Sequence, residues 1–165
     1  MKKFELTSEC IVKFGRTLYR IRALVAFGDV KEGELGGFLE KEENLSQDGN
    51  AWVRGSAIVS ENATVRGNAI VSGNATVRGY ARVFKTSHYL VIGPMGSRNG
   101  FTTFFRTNNL FIGVACGCFR GNVDEFVKKV KETHGDNKHA KTYLAAAELA
   151  KMQIDLTTEE NEEGD

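Results

Sequence analysis

From Gly49 to Phe84 the chain reads Gly-Asn-Ala-Trp-Val-Arg, Gly-Ser-Ala-Ile-Val-Ser, Glu-Asn-Ala-Thr-Val-Arg, Gly-Asn-Ala-Ile-Val-Ser, Gly-Asn-Ala-Thr-Val-Arg, Gly-Tyr-Ala-Arg-Val-Phe. In every block of six the third residue is Ala (51, 57, 63, 69, 75, 81) and the fifth is Val (53, 59, 65, 71, 77, 83). A fixed period of this length marks a stack of short strands wound into a coil. An α-helix would drift out of phase, because about 3.6 residues per turn does not divide evenly into the repeat. Ala and Val stand two apart, so in an extended segment both point to one side. The first two places hold Gly or Glu and then Asn, Ser or Tyr, and the recurring Gly and Asn tolerate the backbone angles of a bend. Three such sides close a triangular coil, so residues eighteen apart stack on one another.

These hexads resemble the hexapeptide-repeat, left-handed parallel β-helix family. The resemblance covers six perfect hexads, or two coils. It implies a fold and little about function, since that family includes acyltransferases, metal-dependent hydratases and structural pieces. The phase also runs back past Gly49, with Leu39 and Leu45 in the third place and Leu35 in the fifth. Residues 31–84 are therefore expected to form a short β-helix of two to three coils, the first irregular. Such a stub buries little apolar area alone and needs support from its flanks or from oligomerisation. Trp52, Ile58 and Ile70 fall in the outward fourth place. Apolar side chains there imply a homo-oligomer, most simply a trimer packed side by side, with a cap folded over the face as the alternative.

At 165 residues the chain makes one or two small domains. Its 22 Lys and Arg nearly balance 21 Asp and Glu, so charge predicts no general nucleic-acid polymer or membrane surface. No apolar run approaches the length of a membrane span, and no secretory signal opens the chain, so a cytoplasmic protein is expected. Three cysteines, an odd number, argue against a disulfide framework. Glu159, Glu160, Glu162, Glu163 and Asp165 suggest that 155–165 is an acidic, disordered tail.

The flanks read differently from the hexads. Residues 1–30 alternate apolar and basic residues and are expected to be an N-terminal β cap that closes the open end of the coil. Residues 86–154 read as a β-β-β-α-α domain, which makes the whole mainly β with an α/β C-terminal part. Its strands are Tyr89–Ile92, Phe101–Thr107 and Leu110–Cys116. Asn122 has the position of an N-cap for a helix ending at His134-Gly135, and a last helix runs from about Asn137 to Ile154.

An acyltransferase needs an imidazole base near a coil, yet His88, His134 and His139 all lie outside the hexads. Cys116 and Cys118 with His134 and His139 lack the spacing of a structural zinc site, so neither a metal nor a cofactor is predicted. The loop Gly93-Pro-Met-Gly-Ser-Arg-Asn-Gly100 is more promising, because glycine lets backbone N–H groups approach an anion. Ser97, Arg98 and Asn99 add donors, and Phe101, Phe104, Phe105 and Arg106 follow at once. In this reading Arg98 and Arg106 hold phosphate, Phe101 with Phe104 or Phe105 stacks on a base, and Ser97 and Asn99 read polar edges.

Segments on both sides of the hexads, such as "GDVKEGELGGFLEKEENLS", "GSRNGFTTFF" and "CGCFRGNVDEF", are similar to small proteins encoded by bacteriophages of Gram-positive hosts and their prophages. The resemblance spans nearly the whole chain and implies work in the host cytoplasm. Some phage proteins of this size sequester nucleotide second messengers of host immunity without cleaving them. A compact oligomer with an Arg, Phe and Gly-rich loop is similar in character, which implies a non-enzymatic sponge for a small phosphorylated, nucleotide-like ligand. A hexapeptide-repeat acyltransferase and a structural or protein-binding phage component are the alternatives.

Overall fold

The structure, a computed structural model, describes residues 1–157 and is mainly β, with two helices at its C-terminal end. The acidic residues from Glu159 onward lie outside the described residues. Six two-residue strands form the hexad region: β4 (Trp52–Val53), β5 (Ile58–Val59), β6 (Thr64–Val65), β7 (Ile70–Val71), β8 (Thr76–Val77) and β9 (Arg82–Val83). Each is preceded by β1 (Phe4–Lys13), β2 (Arg16–Ala23) and β3 (Leu35–Leu39) in the chain. Pairing is parallel and joins each strand to the third one after it: Trp52 lies beside Ile70, Ile58 beside Thr76, and Thr64 beside Arg82. The eighteen-residue stacking expected from the hexads is thus present on three separate faces. All the third-place alanines and fifth-place valines are at most 1% exposed.

The first coil departs from the frame. Leu39 pairs beside Val59 and Leu45 beside Val65, an offset of 20 residues, so both stand over the fifth place and not the third. The extra length holds a single 3₁₀ turn at Glu42–Asn44. Asn44, fully buried there, donates to the carbonyls of Glu61 and Ala63 and accepts from the Lys41 N–H. Leu35, expected inside, is 53% exposed at the start of β3.

β1 and β2 form a hairpin closed by Phe14 and Gly15, both with positive φ (54° and 74°), as a two-residue turn between twisted strands requires. β2 then pairs with β3, and β3 with β5, so the cap prolongs one ladder of the coil. It also covers the faces expected to be bare. Trp52 is fully buried, edge-on to Phe4 and Phe27 at ring separations of 6.4 and 5.3 Å. Ile58 is buried against Leu18 and Phe38. Trp52 and Ile58 therefore do not form the exposed apolar faces on which the trimer was argued, because the chain supplies its own cover. Lys3 seals the corner: its Nζ donates to the carbonyls of Ala51 (2.7 Å) and Gly49 (3.3 Å), and burial pulls its pKa down to about 8.

The C-terminal part holds four antiparallel strands, not three: β10 (Tyr89–Met95), β11 (Gly100–Arg106), β12 (Ile112–Cys116) and β13 (Phe119–Asn122). A turn at Gly117 (φ 56°) folds the extra strand back before the helices begin. Pro94 lies on β10, an edge strand, where its missing N–H costs no ladder bond. Asn122 caps α1 (Val123–His134) by accepting from the Glu125 N–H, and Asn137 caps α2 (Lys138–Gln153) through Ala140. One face of the sheet packs on the coil through Phe105 and Ala115, the other on the helices through Phe104 and Val114. Residues 155–157 still belong to this body, since the Asp155 N–H reaches the Ser87 carbonyl and Arg106 reaches the Thr157 carbonyl. No described helix is long and apolar enough to cross a membrane.

The last coil's free edge is closed by side chains. Thr86 accepts from the Ile70 N–H, Tyr89 bridges the Ile70 carbonyl and the Ser72 N–H, and Thr103 accepts from the Thr76 N–H.

Trp52→Ala is expected to cost about 3–5 kcal/mol in denaturant unfolding, as for a core aromatic; an exposed Trp would change stability by only about 0.5 kcal/mol. Between pH about 8 and 10.5 the folded chain holds fewer protons on Lys3 than the unfolded chain does. Lys3 therefore makes stability rise with pH through that window, a rise that Lys3→Met should remove in pH-resolved melts.

Candidate ligand-binding site

Arg78 ends the fifth hexad and joins three parts of the chain. It is only 3% exposed. Its Nη2 donates to the carbonyls of Phe119 (2.6 Å) and Gly117 (3.2 Å), which ties the coil to the turn between β12 and β13. The ring of Phe14, at the tip of the N-terminal hairpin, lies 4.7 Å from the guanidinium carbon. Burial, and then the nearby Arg120, pull the Arg78 pKa below its usual value, while Glu61 pulls it back up. A group in this setting gains from an added anion.

Beside Arg78 opens a cavity of about 220 Å³. Lys13 and Phe14 line it from the hairpin tip, Ser56 and Asn74 from the coil, and Phe101 from β11. Phe14 and Phe101 keep 46% and 38% of their surface exposed, so both have ring area to offer a ligand. Ser56 donates to the Asn74 side-chain oxygen at 2.9 Å, which orients that amide. Two cations, two aromatic rings and a hydroxyl–amide pair suit a small anionic molecule that carries a flat ring.

Next to this junction stands the one break in the glycine pattern. The corner glycines 49, 55, 67, 73 and 79 have φ of 64° to 71°, and Glu61 adopts the same left-handed backbone at φ 59°. For a residue with a side chain this costs about 1–2 kcal/mol. Its carboxylate is held by both guanidinium nitrogens of Arg120 in a bidentate pair and lies 3.9 Å from Arg16. The Arg120 bond, chiefly, holds the carboxyl below the usual carboxylate range. Glu61 thereby links the hairpin, the coil and the sheet by charge.

The residues singled out from the sequence are scattered. Ser97, Arg98 and Asn99 are exposed at the β10–β11 tip, on the helix side, where Gly96 lies against the Tyr143 hydroxyl and Arg98 acts electrostatically on it. Phe101 alone turns into the cavity beside Arg78. Phe104 is fully buried under the helices, and Phe105 is buried against the coil. Neither ring is open to stack on a base, because the sheet is covered on both faces. Arg106 is 3% exposed, bonded to the carbonyls of Arg82 and Thr157, and its guanidinium lies 5.1 Å from the Phe84 ring centre. It serves the fold, not a phosphate. Lys13, Phe14, Asn74 and Arg78 carry no binding motif in the sequence; Gly15 between two alternating stretches and Glu61 in a place otherwise held by Gly were the available signals.

His88 is fully buried, and its Nδ1 accepts from the N–H groups of Phe84 and Lys85. That nitrogen is occupied by the backbone and has no path to a substrate. His134 stacks on Tyr143 and lies on the helix side, away from the coil. Among the described residues no three His, Cys, Asp or Glu side chains gather as metal ligands, and Cys10, Cys116 and Cys118 are free thiols. No protein-family model matches the chain, and no curated protein matches it significantly.

The depressed Glu61 carboxyl contributes stability that is fully present above pH about 4.5 and is lost as pH falls through its folded value. Glu61→Gln should remove that part of the acid sensitivity. Because Arg120 is half exposed, the loss at neutral pH is expected to stay at or below about 1 kcal/mol. Glu61→Gly should lie within about 1 kcal/mol of the parent in urea unfolding, since relief of the left-handed backbone offsets the lost pair.

Proposed function

We propose that this is a non-catalytic binding protein that sequesters a small phosphorylated, nucleotide-like ligand in the cavity beside Arg78. The observation that carries the reading is the meeting of Lys13, Arg78, Phe14 and Phe101 around one concave space built from all three parts of the chain. Phosphate is held by the cations, Arg78 giving directed N–H donors and Lys13 a mobile charge. A ring stacks on Phe14 or Phe101, and Asn74 and Ser56 bond its polar edge. This moves the ligand from the β10–β11 tip to the junction and keeps only Phe101 of the residues first considered.

The wider proposal takes the coil as a left-handed parallel β-helix, supported by the unbroken hexads and their eighteen-residue pairing. It takes the protein as phage-type, acting in the host cytoplasm, with a host immune second messenger as one ligand of the right chemistry. A homo-oligomer, most simply a trimer, is retained on narrower grounds, the exposed Leu149 and Met152 of α2.

Titration calorimetry against nucleoside mono- and diphosphates, cyclic di- and trinucleotides and ADP-ribose derivatives tests the proposal. At least one member should bind, and Lys13→Ala and Phe101→Ala should each weaken it about tenfold, the equivalent of about 1.4 kcal/mol, with little change in melting temperature. Silence across the panel removes the reading. Recovery of the intact ligand after heat denaturation is the outcome expected of a sponge; a cleaved ligand would mean a hydrolase.

A further inference from the structure

A second cavity, of about 270 Å³, adjoins the first along Arg78. Its walls are Arg78 and Tyr80 at the end of the coil, Asn108 and Phe111 in the loop before β12, and Arg120 and Asn122 on β13. Tyr80 and Phe111 are 58% and 57% exposed, far more than large rings usually are in a folded body. Phe105 and Gly113 form its floor, where the glycine lets the Phe105 ring lie directly on the backbone of β12: a Cβ there would meet the ring at 2.5 Å.

The two cavities repeat one plan about a common centre. Each has two exposed rings, Phe14 and Phe101 on one side, Tyr80 and Phe111 on the other. Each also offers neutral amide or hydroxyl groups, and both draw on the same buried guanidinium. Arg78 uses Nη2 on the two carbonyls; its Nε and Nη1 donate to no described protein group. Volume bears on how the pair is used. Sites for small molecules usually measure about 300–1,000 Å³, so each cavity alone is undersized and the pair together falls within the range.

We infer that the ligand has two ring-bearing arms joined through a phosphate, with the phosphate at Arg78 and one arm in each cavity. Cation in the middle and aromatics at both ends is the complement of a dinucleotide; a mononucleotide would leave the second pair of rings bare. The inference rests on the proposed binding function and adds to it the class of ligand.

The test compares AMP, GMP, CMP and UMP with the dinucleoside monophosphates ApA, GpG, CpC and UpU by calorimetry on the full chain. For at least one base the two-ring probe should bind ten-fold or more tightly than the one-ring probe. Tyr80→Ala and Phe111→Ala should abolish that gain and leave one-ring binding unchanged, while Phe101→Ala should weaken both probes. Melting curves of the variants exclude misfolding as the cause, since all three side chains are exposed. If one-ring probes bind and the second ring adds nothing, or if the gain survives Tyr80→Ala and Phe111→Ala, the two-armed ligand is wrong and the single-cavity function stands. If no probe of either kind binds, the two-armed ligand falls, and the binding function falls with it only when the wider nucleotide panel is silent too.

Discussion

A coil of two or three turns has almost as much edge as interior, and closing that edge governs everything else in this molecule. Each short strand offers unpaired N–H and C=O groups at the first and last turn, and such edges recruit other chains when left open. At the upper end β3 continues the ladder of β5, β2 continues β3, and Lys3 caps the carbonyls of Ala51 and Gly49. At the lower end hydroxyls of Thr86, Tyr89 and Thr103 and the guanidinium of Arg106 do the same work. The flanking segments are therefore parts of one closed structure and not appendages on a finished spool.

Closure of this kind uses up the apolar surface. Trp52 goes under Phe4 and Phe27, Ile58 goes under Leu18 and Phe38, and both faces of the C-terminal sheet acquire cores of their own. Where the sheet meets the coil, contact runs through Phe105, Thr103, Ala115 and Arg78, with one cavity beside Gly113 and the other beside Gly117. The cavities are thus a by-product of docking a flat sheet on a polygonal coil, and the side chains at their rims make them chemically distinctive. Charge concentrates where the segments touch: Arg16, Arg78 and Arg120 surround Glu61, whose strained corner places a carboxylate among them.

Local patterns were legible in the chain. The hexads announced the stacked coil, and Asn122 with Glu125 announced a helix start, because both depend on neighbours within a few residues. The first coil was misread by two residues, since the buried Asn44 turn has no signal except the offset it creates. The strand Phe119–Asn122 was missed because a four-residue segment before a helix is too short to show alternation. Phe105 and Arg106 follow the loop directly in sequence, but the docking of the sheet on the coil buries both.

The order of residues was enough to specify the coil, the two helices and their caps, because spacing and turn chemistry act over short range. Which side chains stay in reach of solvent was settled in three dimensions, by which segment lies over which. Lys13, Asn74, Phe101 and Arg120 are far apart along the chain and share no motif. They surround Arg78 because closing the coil's two ends brings a hairpin tip and a sheet to the same corner, and only the folded chain can put them there.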